Sequence, residues 1–200
     1  SGTYTYEYQH PPLTRVVAAM GPFLTGLRSQ GHTSMWEEGA ALLFAGDYRQ
    51  TLSLARSGNL LFFVAACLAV YMTAAWLFQP ATGLLAVLVF SMTPTVLAHA
   101  GVATTDMGLT ATFALAVLAF ARWLQRPAMG RALLFTLAAA LCLLTKFSAL
   151  LFLPVACLAM LPPALAARRD LPALRSLRLW PVTLKTLGLL GLFLLTLWAG

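Results

Sequence analysis

Charge is what this sequence has least of. Between Ser57 and Thr105 there is no Asp, Glu, Lys or Arg, and only 10% of the 200 residues are charged while 60% are hydrophobic, against about a quarter charged in an ordinary soluble domain. The mean hydropathy of +0.81 excludes a water-soluble globule, and the uncharged stretch is more than twice the roughly 20 residues of one bilayer crossing. Cysteine is scarce too. Cys67, Cys142 and Cys157 lie in apolar surroundings without CxxC spacing, which excludes a disulfide framework and a zinc site and leaves small packing residues. No Walker loop, GxGxxG, HExxH or GxSxG occurs, so nucleotide-driven pumping, dinucleotide chemistry, zinc proteolysis and the hydrolase elbow have no motif behind them.

The net charge of +7 would suggest nucleic acid in a soluble protein. Here seven of the thirteen basic residues fall in two short stretches, Arg122 to Arg131 and Arg168 to Arg178, the distribution expected of cytoplasmic loops. Topology accounts for the charge, and no nucleic-acid partner is expected. The predicted fold is all-α, a polytopic transmembrane helix bundle. Residues 1–56 read as an external loop with interfacial or re-entrant helices. Residues 57–200 read as the bundle, with about six spans near 59–78, 83–98, 107–121, 130–145, 147–163 and 182–200. The apolar stretch 132–167 is too long for one crossing of a core about 30 Å thick, which predicts a break at Thr145-Lys146. With both arginine loops inside, the 1–56 region, the His99–Asp106 loop and Lys146 share the opposite side.

Few residues there can carry chemistry. Asp106 is the only acid between Asp47 and Asp170, and a carboxylate at a membrane edge is costly unless it binds something; a helix N-cap formed with Thr104 and Thr105 accounts for it equally well. His10, ahead of Pro11-Pro12, is either a rigidly held ligand for phosphate or metal, or an interfacial histidine beside Tyr4, Tyr6 and Tyr8. Lys146 either snorkels or pairs with an anion. Arg56 is either an interfacial anchor or one prong of a clamp on a lipid phosphate. His99 belongs to the same polar stretch as Asp106. Glu37, Glu38 and Asp47 read as the wet face of an amphipathic helix.

Four segments in order, HPPL at 10–13, LAR at 54–56, SMTPTVLAHAGVATTDMGL at 91–109 and LLTKFSALLFLP at 143–154, resemble the GT-C membrane glycosyltransferases. The likeness is greatest to the protein mannosyltransferase and aminoarabinose transferase relatives grouped with family 39. The resemblance implies transfer of a sugar from a polyprenyl-phosphate donor to a glycan, lipid or protein acceptor, by an enzyme embedded in membrane lipid. It implies a catalytic place for Asp106 and substrate-side places for His10, Arg56, Lys146 and His99. A divalent metal is the one cofactor it suggests, although Gln9 stands where some relatives carry a metal-binding acid. The same resemblance puts the principal catalytic acid upstream of Ser1, in a first external loop, so that residues 1–200 are expected to be a fragment inactive alone.

The expected location is a multi-pass integral protein of a bacterial inner membrane, its site facing the periplasm or exterior. Two other classes keep a few charges in an apolar bundle. A transporter or flippase would show broken helices near the midplane and internal symmetry. In a non-catalytic membrane subunit the polar cluster would be incidental.

Overall fold

The computed structural model describes residues 11–169, and among them every regular element is an α-helix. The expected span at 182–200 and the residue His10 lie outside the described residues. The helices fall into two units, residues 11–111 with 144–147, and residues 112–143 with 148–169.

In the first unit, Pro11-Pro12 forbid a helix arriving from upstream and α1 (Leu13–Leu24) starts directly after them. It ends in a turn through Gly26 at φ +95°, a conformation that suits glycine. The Arg28 guanidinium closes that turn, donating to the carbonyls of Phe23 (2.6 Å) and Leu27 (2.8 Å). α2 (Met35–Phe44) follows an extended Ser34 and carries Glu37 and Glu38 in its first turn, where acid suits the helix dipole.

α3 (Tyr48–Leu77) is a single helix of 30 residues, about 45 Å long at 1.5 Å per residue. Asp47 caps it, accepting from the amides of Arg49 (2.8 Å) and Gln50 (3.4 Å). The helix thus runs unbroken through position 56, where the sequence changes from polar to apolar. Hydropathy marks a change of solvent there, and no proline interrupts the backbone.

Gln79-Pro80 ends α3, and Pro80 opens α4 (Pro80–Met92) at the position where a missing N–H costs nothing. The expected crossing at 83–98 is broken. α5 (Pro94–Ala100) leaves α4 at 71°, because Pro94 has no N–H to give and confines Thr93 to extended backbone, φ −68° and ψ 122°.

Close approach in this unit depends on glycine. A Cβ on Gly58 would lie 2.6 Å from the Val17 carbonyl oxygen, and one on Gly21 would lie 2.6 Å from that of Leu54. α1 and α3 therefore touch backbone to backbone, as small residues allow between membrane helices. Phe62, Ala66, Ala100, Met107 and Ala111 form the buried core, with Leu13 and Val17 of α1 packed on it.

In the second unit α6 (Thr105–Gln125), whose first residues belong to the first unit, is followed by α7 (Met129–Leu143) and α8 (Ala149–Arg169). Phe120, Trp123, Leu124 and Ala132 form its core. Arg131 donates to the carbonyl of Arg122 at 2.7 Å across the arginine turn. The break predicted at Thr145-Lys146 falls between α7 and α8.

By length and composition α3 and α6 can each cross a bilayer, and the bent pair α4–α5 makes a third if it is one span. α7 has 15 residues, about 22 Å, short of a core of about 30 Å. Large apolar side chains such as Leu61, Leu85 and Val89 are 60% exposed or more, as they are on helices whose outer faces meet lipid rather than water.

Candidate functional site at the head of helix α6

Asp106 stands in the first turn of α6, where a backbone N–H has no partner within the helix and an acidic charge suits the dipole. Its carboxylate does more than that. Lys146 donates from Nζ to Oδ1 at 2.8 Å, and His99 Nδ1 lies 3.6 Å from Oδ2. The three side chains are partly exposed, Asp106 at 41%, Lys146 at 32% and His99 at 50%. The cluster is therefore partly packed and partly accessible. Asp106 lies within the first turn of α6 rather than before it, and its carboxylate is paired with Lys146.

The segments carrying these groups are separately anchored. The break at residues 144–147 is tied to α1, whose first amide, Leu13 N, donates to the Leu144 carbonyl at 3.1 Å; Thr145 beside it is fully buried. Lys146 is thus fixed through a turn that two helix ends hold. Gly108, one residue beyond the core residue Met107, sits directly against Thr14: a Cβ there would clash with Thr14 Cγ2. The HPPL and LLTK segments, far apart in sequence, meet at Leu13 and Leu144.

Sequence reasoning missed Asn59. It is 2% exposed in α3, and its Nδ2 donates to the carbonyl oxygens of His99, at 3.2 Å, and Val102. The available signal was a carboxamide inside the uncharged stretch, since an amide in an apolar helix has to find partners.

Arg56 takes another position. It is exposed on α3, and its side chain makes no hydrogen bond or ion pair among the described residues. Glu38 differs from the wet-face expectation: it is buried, because the 29–32 segment folds over it. Gln30 N donates to Oε1 at 2.7 Å and His32 N to Oε2 at 2.9 Å. Hydrogen bonding from the Ser29 side chain, which outweighs the cost of desolvation, together with these amides holds the Glu38 carboxyl below its ordinary value of 4.5. Glu37 and Asp47 are exposed as expected.

No group of three His, Cys, Asp or Glu side chains converges among the described residues. A divalent cation at Asp106 would find His99 as a second ligand and a lysine ammonium already on the carboxylate. Among the described residues, that donor set does not fit a resident metal.

Long apolar helices, lipid-type outer faces and a charged cluster at the head of a spanning helix define a helical integral membrane protein with a polar site at one end of its bundle. The chain belongs to the dolichyl-phosphate-mannose-protein mannosyltransferase family, whose model matches residues 43–195, and is therefore of the membrane glycosyltransferase class. The match includes Arg56, Asn59, His99, Asp106 and Lys146. No curated protein and no solved structure matches the chain.

Proposed function

We propose that the protein transfers a sugar from a polyprenyl-phosphate donor to an acceptor hydroxyl at the non-cytoplasmic face of the membrane, and that the Asp106 cluster receives the donor's phosphate. The observation that carries this is the Lys146–Asp106 pair at 2.8 Å, partly exposed at the head of a helix long and apolar enough to span a membrane. Lys146 spends one of its three N–H donors on Asp106. The other two have no partner among the described residues and can meet phosphate oxygens.

In the transfer, the acceptor oxygen forms a bond to the sugar's anomeric carbon as that carbon's bond to the phosphate oxygen breaks. The electron pair of the broken bond leaves with the polyprenyl phosphate. Charge therefore grows on the phosphate, and a preorganised ammonium aimed there lowers the barrier. Asp106 holds Lys146 in place, and His99 when protonated adds a second positive group. The acceptor's proton passes to a carboxylate, which the family resemblance implies upstream of Ser1.

Sidedness is supported by α6 itself. Asp106 lies at its start and Arg122 in its last turn, with Arg126 and Arg131 just beyond. The positive-inside rule assigns the arginine end to the cytoplasm. The 71° break between α4 and α5 is a feature that a transporter or flippase would use. Family membership favours transfer over that second reading.

The test uses the full-length protein in membranes supplied with a radiolabelled polyprenyl-phosphate sugar and a hydroxyl acceptor. Asp106→Asn is expected to cut transfer about 100-fold or more with expression unchanged. Unchanged turnover would remove Asp106 from the mechanism. Labelled lipid crossing the bilayer without transfer would favour the flippase.

A further inference from the structure

We infer that Asn59 is a positioning residue of the Asp106 site, gripping from α3 the corner that joins His99 to Asp106. The inference rests on the transfer reading for what the site does, while the grip itself is a matter of geometry.

α5 is only seven residues long, so the carbonyls of its last turn have no partners within the helix. The chain then turns through Gly101 and Val102 before α6 begins at Thr105. Local bonds in that corner are few: Gly101 N to the Leu97 carbonyl at 3.1 Å, and Thr104 N to the Val102 carbonyl at 2.9 Å.

Asn59 supplies what is missing. Its carboxamide has two N–H donors, and both acceptors lie in the corner, the carbonyls of His99 and Val102. One acceptor belongs to the residue whose ring faces Asp106. The other stands four residues before Asp106. The bonds tie positions 40 and more apart in sequence, so no local preference duplicates them. A buried carboxamide with both donors spent on one turn costs α3 little, whereas loss of the donors would leave the corner to water or to drift.

The placement also separates this role from plain packing. The neighbouring core runs through Phe62, Ala66 and Met107 and does not depend on the amide. Releasing the grip is expected to alter the His99–Asp106 geometry while that core persists.

The experiment compares full-length wild type, Asn59→Ala, His99→Ala and the double variant in lipid nanodiscs. Two measurements are made, hydrogen exchange and sugar transfer. Loss of two hydrogen bonds is expected to raise exchange at the amides of residues 101–104 about tenfold, leaving the rest of α3 unchanged. The turnover number is expected to fall about tenfold with KM within about twofold, and the double variant to be no slower than the slower single.

Unchanged exchange at 101–104, or losses that multiply in the double variant, would overturn the inference. Asn59→Ser keeps one shorter donor and serves if the alanine variant does not fold; if neither folds, Asn59 is a structural residue and the inference is overturned. If exchange responds but both His99→Ala and Asp106→Asn leave turnover intact, the grip stands and the transfer reading is what fails.

Discussion

Replacing Gly108 by alanine tests the packing that seats Asp106. The added Cβ would clash with Thr14 Cγ2, well inside the separation that carbon atoms prefer. Thr14 is 4% exposed and β-branched, so it has little freedom to turn away. Overpacking of this kind costs about 1 to 3 kcal/mol, while exchanging glycine for alanine within a helix gains about 1 kcal/mol. The net expectation is a loss of about 1 kcal/mol.

In a Thr14→Ala background the sign reverses. The clashing methyl is gone, and so is a buried hydroxyl oxygen that has no hydrogen-bond partner. Gly108→Ala should then stabilise by about 1 kcal/mol. The assay is reversible unfolding in mixed micelles, read as free energy for the four members of the cycle. If Gly108→Ala stabilises to the same extent in both backgrounds, α1 does not press on the start of α6 and the seating described for Asp106 is wrong.

Other positions give different expectations. Gly58→Ala meets backbone, the Val17 carbonyl oxygen and the Ala18 Cα, rather than a side chain; it should cost about 2 to 3 kcal/mol, and no single replacement at 17 or 18 should rescue it in the same unfolding assay. Asp47→Ala removes the cap of α3 and should cost about 1 kcal/mol, with faster hydrogen exchange confined to residues 48–51. Glu38 gives a pH dependence of known sign. Its carboxyl pKa is lowered in the folded state, so its contribution to stability is complete above the ordinary value of 4.5 and is lost as pH falls through the lower folded value. Protection of the amides at Gln30 and His32 should fade over that acid range in wild type, and Glu38→Gln should remove the dependence.

Much of the bundle was legible because a bilayer imposes lengths. The uncharged stretch, the arginine turn and the overlong apolar segment at 132–167 each carry a length that a bilayer constrains, and Lys146 lies between α7 and α8. Helix continuity is a different property from hydropathy. The polar residues before Arg56 and the apolar ones after it belong to one backbone rod, α3, and no signal at the junction stops it. Pro94 lies inside the span expected at 83–98, and the 71° turn there depends on how Thr93 is held. Asp106 and Lys146 could each be suspected alone, whereas their pairing across 40 residues comes from the fold.

Two misjudged polar residues teach the same lesson. Glu38 reads as a wet residue by spacing and is buried because the backbone amides of a nearby turn close over it. Asn59, which sequence reasoning passed over, bonds to acceptors on another segment. In both, the partner is backbone. Side-chain patterns do not record where a carbonyl or an amide will point.

The central claim is that Asp106 and Lys146 work as one unit in sugar transfer. Its most direct test is a double-mutant cycle on turnover in full-length protein, with Asp106→Asn, Lys146→Met and the two together. The account predicts that each single variant loses about 100-fold and that the double is no slower than the slower single, because either change already dismantles the pair. Losses that multiply, or a single variant that turns over at the wild-type rate, would contradict it.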